Sequence, residues 1–221
     1  MSEQSTPVSS EHYRYVAAHT TPEDEFLQAL KREARAAGIP SIWIAPEQAA
    51  FMQILLRLCG AREVIEVGTL AGYSGIAMAR ALPPGGRVRT IEIEPRHADF
   101  AEGWIARSDV ADRIQVLRGD GREILPSFAS NSADAVFIDA DKLSYSFYMR
   151  EAVRIVSPGG LIMVDNAFAF GQVLEERPAD AEAVAICEFN EDLATIKALQ
   201  GIIVPFGDGL WVAVKRAAVD R

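Results

Sequence analysis

The chain has 221 residues, 49% apolar and 24% charged, which suits one globular domain with a substantial core and excludes a disordered or fibrous chain. Its net charge of −9 argues against a broad nucleic-acid or anionic-membrane surface, and no apolar run reaches the length of a membrane span.

Residues 1–10 are polar and lack the basic and apolar regions of a secretion signal, so the cytoplasm is the expected location. Residues 1–20 read as an arm or a short helix. Thr21-Pro22-Glu23-Asp24 reads as a helix start, with Thr21 as cap and proline in the first turn. That helix runs to about Ala37, where Gly38 and Pro40 stop it. Residues 41–45 form an extended apolar linker. Pro46 opens a second helix with Phe51, Ile54, Leu55 and Leu58 on one face. From residue 62 the pattern alternates. Strands are expected at 64–67, 88–93, 114–117, 135–138 and 161–164, and helices at 73–82, 95–107, 145–156 and 180–200. Segments 202–205 and 210–214 flank the hairpin turn Gly207-Asp208-Gly209. Repeated β-α units with short apolar strands predict a mostly parallel sheet covered on both faces. Cys59 and Cys187 fall in apolar helical patterns and read as buried free thiols; His12, His19 and His97 form no zinc-type set.

The first expected strand leads into Glu66-Val67-Gly68-Thr69-Leu70-Ala71-Gly72-Tyr73-Ser74. Glycine lets a ligand approach the backbone, and the following helix start favours an anionic group. The spacing Gly68-x-x-x-Gly72 is neither a dinucleotide nor a phosphate-loop signature, so a small carboxylate-bearing ligand fits better than a pyrophosphate. Glu92 ends the second strand, where an acid can bond ribose hydroxyls. Gly119-Asp120-Gly121 ends the third. As ordinary βα turns these glycines would carry nothing; acids at three strand ends in register point to a site.

The two runs Val136-Phe137-Ile138-Asp139-Ala140-Asp141-Lys142 and Val164-Asp165-Asn166 break abruptly from apolar residues into acids. Strand ends in an open α/β sheet face the ligand crevice. Two carboxylates and an amide oxygen there repel unless a cation or a shared proton holds them. Oxygen-only donors suit Mg²⁺, Ca²⁺ or Mn²⁺, and Lys142 could supply a base beside such a cation. Two plainer readings stand beside this one: Lys142 as an exposed helix-start lysine paired with Asp141, and Asp165-Asn166 as a turn cap. Trp43, Phe168, Phe170 and Trp211 either line an aromatic acceptor pocket or pack in the core. Tyr145 and Tyr148 share a helix face and read as packing. Residues 171–180 are either an acceptor loop or a surface connection.

Taken together, Glu66-x-Gly68-x-x-x-Gly72-Tyr73-Ser74, Phe137 to Lys142, Asp165-Asn166 and Gly207-Asp208-Gly209-Leu210 resemble the cation-dependent class I O-methyltransferases, the group of caffeoyl-CoA and catechol O-methyltransferases. The resemblance spans about residues 40–216. It implies an α/β, Rossmann-like fold: a seven-stranded, mostly parallel sheet with helices on both faces and an antiparallel carboxyl-terminal hairpin. Residues 1–40 would be an amino-terminal arm and helix and residues 41–221 the methyltransferase domain, within one structural unit. It further implies S-adenosylmethionine as cosubstrate, one divalent cation (Mg²⁺ first, Ca²⁺ or Mn²⁺ as alternatives), a small phenolic acceptor and a homodimer, with no membrane partner.

Position by position, the resemblance matches Asp139, Asp165 and Asn166 to the metal ligands. It matches Ile44, Glu66, Gly68, Thr69, Ser74, Glu92, Asp120, Gly121, Asp139 and Asp141 to cosubstrate positions. Within that set Glu92 corresponds to the acid on the ribose, Gly68 and Ser74 to the methionine end, and Gly121 to the adenine contact. Lys142 and Asp139 match the catalytic positions, with Lys142 as general base. Two departures are visible. Ser144 stands where the family often has asparagine, and residues 41–45 are apolar where plant caffeoyl-CoA enzymes have polar side chains. The expected activity is O-methylation of a vicinal dihydroxy aromatic molecule. One alternative acceptor is a hydroxylated uridine in tRNA, which would need Arg87, Arg89, Arg113, Arg118 and Arg122 to cluster. A non-catalytic nucleoside-binding protein is the alternative from another class; Asp139, Lys142, Asp165 and Asn166 together speak against it.

Overall fold

The computed structural model describes residues 8–217. Among these, seven strands form one sheet: β1 (Glu63–Val67), β2 (Arg87–Glu92), β3 (Ile114–Arg118), β4 (Ala133–Ile138), β5 (Val156–Val164), β6 (Leu199–Val204) and β7 (Leu210–Lys215). Their order is β3-β2-β1-β4-β5-β7-β6. The first five pair in parallel, and β7 runs antiparallel to both β5 and β6. The expected fold class is therefore borne out, including the carboxyl-terminal hairpin.

Alternation along the strands assigns each side chain to one of two layers. Val64, Ala135, Phe137, Leu161 and Met163 face a layer built from α2 (Glu25–Ala36), α3 (Pro46–Leu58), α4 (Tyr73–Ala79) and α5 (Pro95–Ile105), where Leu30, Met52, Ile76 and Trp104 are buried. Ile65, Val136, Ile138, Ile162 and Val164 face the other layer, where α7 (Tyr145–Ile155) and α8 (Ala181–Thr195) contribute Tyr145, Ile155 and Phe189. Buried on both faces, the strands need to be apolar throughout, which is why they read as short apolar runs. The remaining helices are α1 (Ser10–His19), which buries no residue, and the single turn α6 (Gly121–Ile124). No described helix is long and apolar enough to cross a membrane.

The chain leaves β1 toward β2 and β3 and then returns to β4 on the other side of β1. That reversal opens a crevice at the carboxyl ends of the central strands. The ladder continues one residue beyond the strands. Gly68 N donates to Ile91 O at 3.0 Å, Asp139 N to Val67 O at 2.9 Å and Asp165 N to Ile138 O at 3.0 Å. Gly68, Asp139 and Asp165 are thus held side by side at the crevice floor.

Several local expectations differ from the structure. The helix expected from Thr21, α2, starts at Glu25, capped by Asp24, whose Oδ1 accepts from Leu27 N at 2.8 Å; Thr21 and Pro22 precede it outside any helix. Asp24 prevails because its carboxylate also meets Arg80 at 2.6 Å. α3 buries Gln48, Ala49, Met52 and Leu56, while Ile54 and Leu58 are exposed. Its apolar residues cover more than one face, and tertiary packing chose the one that carries Gln48. Pro158-Gly159-Gly160 does not separate a helix from a strand; it lies inside β5, where the register with β4 shifts. The 180–200 helix ends at Thr195 because Leu199 already pairs with Lys215 in the hairpin. Cys59 is exposed at the end of α3 and Cys187 half-buried, so neither is a fully buried thiol.

The capping assignment has a direct check. Asp24→Ala is expected to destabilise the fold by about 1–2 kcal/mol, and Thr21→Ala by less than about 0.5 kcal/mol, in urea unfolding. The reverse order would restore Thr21 as the cap.

Candidate active site

A cavity of about 480 Å³ opens at the carboxyl ends of β1, β2 and β4. Ile44, Gly68, Thr69, Ser74, Glu92, Asp120, Gly121, Asp139, Asp141 and Lys142 all line it. Of the positions matched to the cosubstrate, only Glu66 lies below the wall.

The glycine loop has little conformational choice. Gly68 has φ +98°, and an added Cβ would run into the Asp139 carbonyl oxygen. Gly72, at φ +84°, starts α4 and packs on Ala101. Glu92 ties this loop down. Its Oε2 accepts from Thr69 N at 3.1 Å and Leu70 N at 2.8 Å, and its Oε1 from Glu94 N at 2.9 Å. A carboxylate has about four acceptor sites, so roughly one remains for a ligand. The Thr69 hydroxyl meets Thr90 Oγ1 at 2.5 Å, below the floor.

Glu66 is fully buried. Its Oε1 accepts from Ser74 Oγ, and its Oε2 has no partner. Burial pushes its pKa up to about 7 against the opposing pull of the Ser74 hydroxyl. On the far wall Asp120 caps α6 through Arg122 N at 2.8 Å and pairs with the Arg122 side chain at 2.6 Å; that guanidinium holds its carboxyl below the usual range. Gly121 leaves room for Val67 and the Tyr148 ring. Asp141 Oδ1 accepts from Ser144 N at 3.0 Å, while Oδ2 takes the Tyr148 hydroxyl at 2.7 Å.

The second half of the site gathers at the ends of β4 and β5. Lys142 Nζ lies 3.0 Å from Asp139 Oδ1 and 2.7 Å from the Tyr145 hydroxyl. That hydroxyl in turn donates to the Asp165 carbonyl at 3.2 Å. Lys142 therefore pairs with Asp139 in a largely buried position, which replaces the reading of an exposed lysine paired with Asp141. Gln48 reaches from α3 to donate to Asp165 Oδ1 at 2.8 Å. Burial first, then the charge of Asp139, raises the Asp165 pKa. Asn166 adopts φ +63°, and its Nδ2 donates to Asp208 Oδ2 at 3.2 Å.

Among the described residues no group of three or more His, Cys, Asp and Glu is arranged for a metal. The expected set contains two acids and an amide. Its donors are all oxygen, and Asp165 buried near Asp139 carries a demand for positive charge that Lys142 meets at Asp139 and that a hard cation would also suit. The residues present fit such an ion.

The aromatic quartet does not assemble. Trp43 lines the cavity, under the Arg35 guanidinium at 4.9 Å, and Trp211 packs in the core with Nε1 donating to Asn190 at 2.7 Å. Phe170 is exposed, and Phe168 packs over Gly209. Residues 169–174 form 3₁₀ turns, followed by an exposed connection to α8. Gln48, Tyr145, Tyr148 and Asp208 are site-shaping residues that the sequence did not reveal as such. The Asp-Lys-x-x-Tyr spacing, which brings Tyr145 back over Lys142, was a usable signal.

The model of a family described as O-methyltransferase matches residues 17–216. The chain belongs to the O-methyltransferase family. It is 40% identical over 185 residues to the catechol O-methyltransferase of Niastella koreensis, covering 82% of this chain and 84% of that one. Identity is also 40% over 163 residues to the catechol O-methyltransferase of Mycobacterium tuberculosis, 74% of each chain. The structure matches the O-methyltransferase from Bacillus cereus in complex with SAH at a TM-score of 0.84 and 33% identity, covering 92% of this chain and 96% of that one.

In this O-methyltransferase the five arginines named for a nucleic-acid acceptor each have a partner within the protein. Arg87 and Arg89 pair with Glu63, Arg118 with Asp99 and Glu102, and Arg122 with Asp120, while Arg113 donates to Leu82 O at 3.5 Å. The five arginines that a tRNA acceptor would call on are engaged by the protein itself.

Glu66 carries a pH prediction for this enzyme. Its carboxyl titrates at about 7 when folded against 4.5 for an ordinary glutamate, so the folded chain binds more protons between those values. Its contribution to stability is greatest below 4.5 and is lost as pH rises toward 7. The difference in melting temperature between Glu66→Gln and the parent should move toward the variant by about 5 °C from pH ~5 to pH ~8. A difference independent of pH would mean that Glu66 titrates as an ordinary carboxyl.

Proposed function

We propose that this O-methyltransferase transfers the methyl group of S-adenosylmethionine to one hydroxyl of a vicinal dihydroxy aromatic small molecule. In this reading Lys142 is the general base, and a divalent cation, Mg²⁺ first, sits at Asp139, Asp165 and Asn166. The observation that carries it is the cluster of Lys142, Asp139, Tyr145 and Asp165 at the strand ends beside the glycine loop. The catechol O-methyltransferases at 40% identity and the SAH complex of the Bacillus cereus relative support it.

A phenol with a pKa near ~10 is mostly protonated at neutral pH, and its phenolate is the stronger nucleophile. A divalent cation held by Asp139, Asp165 and Asn166 would supply the charge that favours phenolate and orients two adjacent oxygens. In its neutral amine form Lys142 would receive the phenolic proton at Nζ and become the ammonium, with Asp139 and Tyr145 holding that nitrogen in place. Ile44 and Trp43 exclude water from one wall of the cavity. The glycine loop, Glu92 and Asp141 hold the cosubstrate so that the acceptor oxygen meets the methyl carbon in line. The new C–O bond forms as the C–S bond breaks, and its electron pair stays on sulfur. The sulfonium already activates the methyl group, so the protein contributes mainly position.

The test is methyl transfer from labelled S-adenosylmethionine to a panel of catechols, with Mg²⁺ or with EDTA. Transfer is expected with Mg²⁺ and not with EDTA. Lys142→Ala should lower kcat by about 10²- to 10⁴-fold with cation affinity kept, whereas Asp139→Ala should lose both. Undiminished transfer in EDTA would remove the cation from the mechanism. No transfer to any catechol despite cosubstrate binding would remove the acceptor class, and full turnover in Lys142→Ala across pH would remove the base.

A further inference from the structure

The segment after β5 holds three non-glycine residues in the left-handed region: Asn166 (φ +63°), Ala169 (φ +46°) and Phe170 (φ +53°). Asparagine tolerates this conformation, but alanine and phenylalanine do so at a cost of about 1–2 kcal/mol each. Something must therefore hold the segment, and the β6–β7 turn does. Ala167 N donates to Gly209 O at 2.9 Å and Phe168 N to Asp208 O at 2.9 Å. The Asp208 carboxylate accepts from Phe170 N at 2.8 and 3.0 Å, and its Oδ2 also accepts from Asn166 Nδ2 at 3.2 Å.

We propose that Asp208 is a positioning residue that fixes which end of the Asn166 amide faces the cation. The proposal rests on Asn166 being a cation ligand, as in the function proposed above. A primary amide has a donor end and an acceptor end of nearly equal size, and only the carbonyl oxygen can ligate a cation. An ionised carboxylate only accepts hydrogen bonds. With Asp208 beside it, the amide has to present Nδ2 to that carboxylate, which turns Oδ1 away from it. The same carboxylate holds Phe170 N, so one side chain orients the ligand and clamps the strained loop behind it. Asparagine at 208 would still accept from Phe170 N, but it would offer its own Nδ2 to Asn166 and favour the flipped amide.

The experiment is Mn²⁺ binding to the full chain, followed by the paramagnetic resonance signal of free Mn²⁺ and by competition with Mg²⁺. Asp208→Asn is expected to weaken Mn²⁺ by about 10- to 100-fold while cosubstrate affinity stays within about twofold. At saturating cation its kcat should recover, so the defect appears in the cation constant. The double variant Asn166→Asp/Asp208→Asn keeps the net charge and restores a donor facing a carboxylate, with the polarity reversed, and is expected to regain most of the affinity. Parental Mn²⁺ binding in Asp208→Asn would overturn the proposal, as would a double variant no better than Asp208→Asn. Equal loss of cosubstrate and cation would reduce Asp208 to a general support for the loop, which also overturns it. If the parent protein binds no Mn²⁺, the cation reading itself fails, which sets that outcome apart from a failure of Asp208 alone.

Discussion

Three backbone hydrogen bonds set the geometry of this molecule: Gly68 N to Ile91 O, Asp139 N to Val67 O and Asp165 N to Ile138 O. They extend the parallel ladder past the last apolar residue of β1, β4 and β5, where β1 gives way to the glycine loop and β4 and β5 to acids. A parallel sheet spaces neighbouring chains by about 4.8 Å. The glycine and the two acids that leave three strands at one level must therefore share a small volume. Gly68 has to be glycine because the Asp139 carbonyl occupies the place of a side chain. A slip of one residue in any of these registers would send the acids into an apolar layer.

That crowding is unfavourable unless each polar atom finds a partner. Asp165 has Gln48, brought in from α3. Lys142 stands between Asp139 and the Tyr145 hydroxyl. Glu66 keeps one oxygen without a partner, and its burial raises its pKa. The site is thus partly satisfied by the fold and partly left for ligands, a pattern that belongs to chemistry more than to packing.

The sequence made the sheet legible because strands buried on both faces are nearly pure apolar runs, and the acids that end them are conspicuous. It also revealed most of the cavity wall, since the wall is built from those ends. What it hid were partners brought from afar. Gln48 meets Asp165 across 117 positions, and Asp208 meets Asn166 across 42. Neither pairing leaves a local periodic trace. Gln48 in particular sits in a helix whose obvious apolar stripe is split, with Ile54 and Leu58 facing solvent and Phe51 and Leu55 packed against the core. Tyr145 read as packing, correctly for its ring and wrongly for its hydroxyl, since a helical spacing tells where a side chain points and not what its last atom touches. Asp24 displaced Thr21 as a cap because of Arg80, again a distant residue.

Glu92 binds three backbone N–H groups of the loops around it, so this acid is rigid before any ligand arrives. A molecule that reaches it meets a fixed acceptor and has no loop to organise, which lowers the entropic cost of association. The same economy narrows the freedom to re-engineer the pocket. An exchange at this position would also untie Thr69 and Leu70, so the acid and the order of the loop cannot be varied separately. Altered specificity would have to enter from walls that carry no such double duty, such as the stretch around Trp43.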